Sequence, residues 1–149
     1  MTRLLFFLGV LLPLVVSAQS YDVVILNGKV IDGSGNPWMW ADVGIKNGKI
    51  AVLGKLSATD GARSIDAKGL VIAPGFIDVH THIEGAIEDI PTADNFIYNG
   101  VTTLITGNCG GSYTELGKFF QDLCKIGISA NVGSFIGHNA VRRRRSGVR

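Results

Sequence analysis

The chain has 149 residues with 14 basic and 12 acidic side chains, a formal charge of +2, three histidines and two cysteines. Arg142, Arg143, Arg144, Arg145 and Arg149 hold five of the basic charges, and between Gln19 and Val141 eight basic residues face twelve acidic ones, a balance of −4. A mildly acidic body with no basic stripe argues against nucleic-acid binding.

The chain opens M-T-R-L-L-F-F-L-G-V-L-L-P-L-V-V-S-A-Q-S. Arg3 precedes an apolar run from Leu4 to Val16 and then small residues, the layout of a secretory signal peptide cleaved after Ala18. A membrane anchor is the competing reading, but the run is short against the ~20 residues that span a bilayer. Residues 1–18 are therefore expected to be a signal peptide, with the protein exported to the periplasm or secreted and no stable membrane anchor left after cleavage. About 130 residues then remain, enough for one small domain and well short of the ~250 of a large α/β barrel. The sequence assigns no oligomeric state.

Residues 19–73 alternate short β-branched runs with turn residues. V-V-I-L-N-G-K-V-I-D and V-G-I-K-N-G-K-I-A-V-L-G each place Asn-Gly between two apolar runs, at Asn27-Gly28 and Asn47-Gly48. Asn-Gly suits the positive φ angles of a type I′ turn, so two hairpins are expected. D-G-S-G-N-P-W between them and Thr59 to Ala62 read as loops, and residues 64–66 and 69–72 as short strands. G-S-G-N-P follows a strand but opens no helix, so it does not read as a phosphate cradle.

After Pro74-Gly75 the pattern changes. Phe76 to His82 reads as a strand, the stretch from Pro91 to Asn99 as a helix capped by Gly100, and Val101 to Thr106 as a buried strand. Leu116, Phe119, Phe120, Leu123 and Cys124 recur at helical spacing and give one apolar face to a helix from Tyr113 to Lys125, which Gly127 ends. I-S-A-N-V-G-S-F-I-G-H makes a third strand. Strand, helix, strand, helix, strand over residues 74–141 implies a parallel sheet with right-handed crossovers. The tail, residues 142–149, reads either as a basic targeting or polyanion-binding patch or as the end of a truncated or frame-shifted chain.

The chemistry concentrates in P-G-F-I-D-V-H-T-H, residues 74–82. Along a strand Asp78, His80 and His82 share one face, and two imidazoles at a strand's end can reach one ion or two adjacent ions. The pair reads equally as ordinary polar residues at a strand terminus. Asp78 can orient an imidazole or simply bond the backbone. Cys109, in T-G-N-C-G-G, follows the second parallel strand, and parallel folds build their sites at the C-terminal strand ends. A disulfide with Cys124 is the alternative in an exported protein. The intervening helix carries Cys124 about 16 Å back toward the opposite end, beyond disulfide reach, so Cys124 is expected to be buried packing and Cys109 free to bind metal. His138, at the end of the third strand, can meet substrate or metal, or cap the strand. Ser112 and Ser134 lie in no nucleophile elbow.

The β-rich start with its N-G-K turns, followed by G-L-V-I-A-P-G-F-I-D-V-H-T-H, resembles the amidohydrolase superfamily, metal hydrolases built on a (β/α)8 barrel beside a β-sandwich. G-V-T-T-L-I-T-G-N-C-G and G-H-N-A-V-R are similar to its D-aminoacylase, or N-acyl-D-amino-acid deacylase, branch. The resemblance covers Tyr21 to Arg142. It implies an α/β fold in which a small β-sandwich domain precedes about three βα units of the barrel. It implies zinc, as one or two ions, held by His80, His82 and Cys109, with Asp78 behind them and His138 and Arg142 toward substrate. The substrate class it implies is a small N-acyl amino acid or related amide, attacked by zinc-activated water while a carboxylate on the last barrel strand moves the proton. That carboxylate and the later histidines have no counterpart in 149 residues, so a truncated and inactive chain is expected. Where many members of the family follow H-x-H directly with acidic residues, this chain has Ile83-Glu84. A cyclic-amide hydrolase of the hydantoinase or dihydroorotase kind, which relies on a modified lysine rather than a cysteine, is one alternative. A non-catalytic β-rich binding module is the other.

Overall fold

The structure is a computed structural model that describes residues 20–147, so the expected signal peptide lies outside the described residues. The chain divides into two units, Met1–Ala73 and Pro74–Arg149. Among the described residues no helix is long and apolar enough to cross a membrane.

In the first unit β1 (Tyr21–Val30), β2 (Met39–Lys46), β3 (Lys49–Gly54), β4 (Gly61–Asp66) and β5 (Val71–Ile72) form one sheet in the order β3-β2-β1-β4, with β5 also on β1. β1 runs antiparallel to β2 and parallel to β4 and β5. Val24, Val30, Val43 and Ala67 are the buried apolar side chains of this unit's described residues. Asn47 and Gly48, at φ 52° and 70°, join β2 to β3 in the predicted hairpin. The hairpin expected at Asn27-Gly28 does not form. There β1 runs straight on, only Asn27 has positive φ (61°), and the register with β2 slips between Ile25 and Gly28. A type I′ turn needs positive φ at both central residues, whereas a single left-handed residue makes a bulge. Asn27 is fixed in it from both neighbouring strands: its N–H donates to Asp42 Oδ1 at 2.8 Å and its Nδ2 to Asp66 Oδ1 at 2.9 Å. The loop expected at Thr59 to Ala62 is instead a 3-10 turn, Ala58–Asp60, capped by Ser57, with β4 starting at Gly61.

In the second unit β6 (Phe76–Asp78), β7 (Val101–Thr106) and β8 (Asn131–Ser134) form a parallel sheet in that order. The helices are α1 (Ala86–Asp89), α2 (Asp94–Ile97), α3 (Leu116–Ile126) and α4 (His138–Ser146). The predicted alternation of strand and helix is observed. β7, a nearly continuous β-branched run, is the central strand, and Leu104 and Thr106 on it are wholly buried. α3 lays Phe119 and Leu123 into a core with Ile83, Ile87, Ala93, Leu104 and Ala130, each large side chain worth about 2 kcal/mol when fully buried. Gly127, at φ 78°, ends α3 with its N–H on Leu123 O at 3.0 Å.

Four expectations for this unit need correction. The first strand stops at Asp78 rather than His82, because the chain bends at Val79 and His80. Cys124 is exposed, not buried, since five residues of helix turn it about 140° away from Phe119. A short helix, α1, lies ahead of the one expected between Pro91 and Asn99. His138 opens a helix rather than ending a strand, and the arginine run continues that helix to Ser146. α4 is fixed at its start by Ala140 N–H on Gly110 O (3.1 Å) and farther along by Arg144, which reaches Glu115 at 2.8 Å and Thr114 Oγ1 at 3.1 Å. Arginines in its last turn also suit the negative end of the helix dipole.

Candidate metal centre

β6 and β7 end side by side, and the loops beyond them are laced together by threonine. Thr81 donates both its N–H (3.0 Å) and its hydroxyl (2.9 Å) to Ile105 O, while the buried Thr106 hydroxyl returns to Thr81 O at 3.1 Å. Thr81 thus rejoins β7 after the bend, which leaves His80 and His82 on either side of it exposed, their ring centroids 5.5 Å apart at 65°.

The loop after β7 brings the thiol to them. Gly107, Cys109 and Gly110 all have positive φ, at 79°, 53° and 78°. Such a sharply curled loop turns Cys109 Sγ back to within 3.4 Å of His80 Nε2. One donor atom from each of His80, His82 and Cys109 lies within 4.8 Å of the others, and all three side chains are exposed. Two donors on one tetrahedral zinc ion, at ~2.0–2.1 Å for nitrogen and ~2.3 Å for sulfur, stand about 3.5 Å apart. The donor set and the observed spacing both fit zinc. Cys109 and Cys124 are free thiols, so no disulfide competes for Cys109.

The other expected residues are placed differently. Asp78 accepts from the backbone N–H of His80 at 3.1 Å rather than from an imidazole; it holds the bend at His80. His138 is exposed at the first residue of α4, and neither it nor Arg142 belongs to the donor group. Gly137, just before His138, donates to Ser112 Oγ at 2.8 Å. With Ala140 on Gly110, that bond seats the start of α4 on the Cys109 loop. Ser112 and Ser134 are taken up in backbone bonds, the latter donating to Phe135 O at 2.8 Å.

Two residues given no role in the sequence reading bind these loops together. Glu84 Oε1 accepts from Gly107 N–H at 3.0 Å, and Asn108 Nδ2 donates to Ile105 O at 3.0 Å and Thr81 O at 3.4 Å. The available signal was adjacency: Glu84 follows the H-x-H pair by two residues and Asn108 immediately precedes Cys109. His82 also borders a cleft of about 450 Å³ lined mainly by Ile83, Ala86, Ile90, Asp94 and Phe96.

A model of the amidohydrolase family matches residues 63–120, and one of the urease alpha-subunit N-terminal domain matches residues 12–79. A D-aminoacylase of Alcaligenes xylosoxydans xylosoxydans is 41% identical over 99 residues, 66% of this chain and 20% of the relative. An N-acyl-D-glutamate deacylase of the same organism is 44% identical over 92 residues, 62% of this chain and 19% of that one. The solved N-acyl-D-glutamate deacylase of Bordetella bronchiseptica, complexed with zinc and a phosphonate inhibitor, superposes with a TM-score of 0.78 at 31% identity, covering 83% of this chain and 31% of that chain. Over this part of its length the chain is similar to the D-aminoacylase branch of the amidohydrolase superfamily. It spans about a fifth of the length of the curated relatives it matches. A solved D-aminoacylase shares the fold at a TM-score of 0.69 and 34% identity, over 82% of this chain and 31% of that one.

Proposed function

We propose that this chain carries the N-terminal part of an exported, zinc-dependent deacylase of N-acyl-D-amino acids, contributing the first half of its metal centre. The convergence of His80, His82 and Cys109 donors within 4.8 Å of one another carries the reading. Bound zinc supplies a Lewis acid and an activated water at an amide carbonyl. The chain's own part is to hold two imidazoles and a thiolate at the ends of β6 and β7, leaving the centre open on its exposed side. The cleft beside His82 offers room for an apolar portion of the substrate. In this reading the single sheet of the first unit is one layer of a β-sandwich, and β6-β7-β8 are the first three strands of a (β/α)8 barrel. His138 and Arg142 serve substrate from the start of α4, and the leading residues 1–18 are an export signal. The proton-transfer carboxylate and further ligands come from later strands, so residues 20–147 alone are expected to be inactive.

Relatives of similar identity over this region carry different names: N-acyl-D-aspartate deacylase, N-acyl-D-glutamate deacylase and, at 42% over 89 residues, the adenine deaminase of Bacillus subtilis. This part of the fold therefore carries the metal chemistry rather than the choice of acyl group or side chain. The test is a chimera in which residues 20–147 replace the matching part of the Alcaligenes D-aminoacylase. Zinc-dependent release of the D-amino acid from its N-acyl derivative, abolished by Cys109→Ala, supports the reading. A folded chimera that hydrolyses only cyclic amides, or keeps full activity without Cys109, refutes it.

A further inference from the structure

The loop that presents Cys109 is a strained one. Cys109 and Gly110, both at positive φ, form a single turn closed by Gly111 N–H on Asn108 O at 3.0 Å, and a left-handed backbone is strained for a residue with a side chain such as Cys109. Its placement against the histidines comes from bonds to neighbouring segments. Asn108 Nδ2 ties it to Ile105 O and Thr81 O, and Ala140 N–H ties Gly110 O to α4. A further bond from the histidine segment is that of Glu84, whose half-buried carboxylate accepts from Gly107 N–H at 3.0 Å. Gly107 itself has no slack: a Cβ there would lie 2.1 Å from Phe135 O.

We propose that Glu84 is the positioning residue of the metal centre, its bond to Gly107 setting the Cys109 thiol at the distance from His80 and His82 at which one ion is shared. The inference deepens the proposed function and rests on the metal-centre reading of those three residues. Glu84 sits two residues after His82 and its bond lands two residues before Cys109, so beside the longer Asn108–Thr81 contact it links one ligand loop directly to the other. Glu84 is not itself in the donor group, and one of its oxygens is already committed to Gly107.

The full 149-residue chain is titrated with cobalt(II), following the near-ultraviolet thiolate-to-cobalt charge-transfer band that reports Cys109, with circular dichroism as the check on folding. The expected result is a band in the unmodified chain and about 10–100-fold weaker cobalt affinity with a diminished band in Glu84→Ala, the range typical of lost ligand-orienting partners. Glu84→Gln, which keeps an acceptor oxygen for Gly107, is expected to bind close to the unmodified chain. A band and affinity unchanged in folded Glu84→Ala overturn the positioning role while leaving the metal centre standing. A Gln variant as weak as the Ala variant also overturns it, because charge rather than the bond would then be acting. No thiolate band in the unmodified chain sinks the metal-centre reading itself, and the positioning role with it. Should Glu84→Ala fail to fold, Glu84→Asp replaces it: weakened binding in Asp beside retained binding in Gln supports the proposal, and equal binding in both overturns it.

Discussion

Cys109 Sγ and His80 Nε2 stand 3.4 Å apart although 29 residues separate them in the chain. Their meeting follows from the parallel pairing of β6 and β7, which puts both strand ends at one edge, and from the bends that follow each strand. Replacing Cys109 with Ala is expected to weaken zinc binding by more than the ~10–100-fold that loss of an orienting partner costs, with little change in stability, because the side chain is exposed. Competition for zinc against a chelating dye measures the first effect and denaturant unfolding the second. Unchanged zinc affinity in this variant would contradict the assignment of Cys109.

The core beneath the centre makes a separate prediction. Leu104 is wholly buried on the central strand, packed among Ile83, Ile87, Phe119 and Leu123. Leu104→Ala is expected to destabilise the second unit by about 2–5 kcal/mol, the transfer and cavity cost of a buried leucine. Urea unfolding of the variant against the unmodified chain checks it, a loss under about 1 kcal/mol arguing against this packing.

Gly107 joins backbone strain to crowding. Its φ is 79° and an added Cβ would meet Phe135 O at 2.1 Å, a backbone atom that cannot swing aside. Gly107→Ala is expected to cost more than the ~1 kcal/mol of an ordinary glycine substitution at positive φ and to disturb metal binding through Cys109. The same substitution at Gly48, also at positive φ (70°) but with open space around it, is expected to cost only the strain. Thermal unfolding of the two variants compares them directly.

Much of this arrangement was legible in the sequence, and its failures have local causes. The strand-helix alternation of residues 74–141, the extent of β7 and the helix stop at Gly127 follow from β-branched runs, helical spacing and a glycine cap. The convergence of His80, His82 and Cys109 follows from the rule that parallel strands gather their loops at one edge. Asn27-Gly28 misled because the same dipeptide serves a hairpin or a bulge, and the choice depends on Asp42 and Asp66 from neighbouring strands. Cys124 misled because it shares the helical spacing of the apolar stripe yet stands about 140° around the helix from the buried Phe119. Glu84 and Asn108 gave little signal, since their role is to bond backbone groups whose positions only the folded loops define.

Two aspartates that bond across segments of the first unit contribute to its acid sensitivity. Asp22 accepts from Asn47 N–H at 2.6 Å and pairs with Lys46 at 3.1 Å; the Asn47 bond, then the Lys46 bond, holds its carboxyl below the usual aspartate range. Asp66 is held low first by the bond from Asn27 and then by the backbone of Lys68. Groups whose folded pKa is depressed stabilise the fold above their unfolded value of about 3.9 and lose that contribution as pH falls through the lower folded value. The midpoint of thermal unfolding is therefore expected to fall below about pH 4, and the fall to be shallower in Asp22→Asn combined with Asp66→Asn. An identical acid limb in the double variant would show that these carboxylates do not contribute.

In the proposed function two imidazoles and one thiolate from the ends of β6 and β7 hold a single metal centre. X-ray absorption at the zinc edge of the zinc-loaded chain tests it most directly. One sulfur scatterer at ~2.3 Å is expected together with nitrogen or oxygen scatterers at ~2.0–2.1 Å, with the sulfur lost in Cys109→Ala. A shell of nitrogen and oxygen alone in the unmodified chain would contradict it.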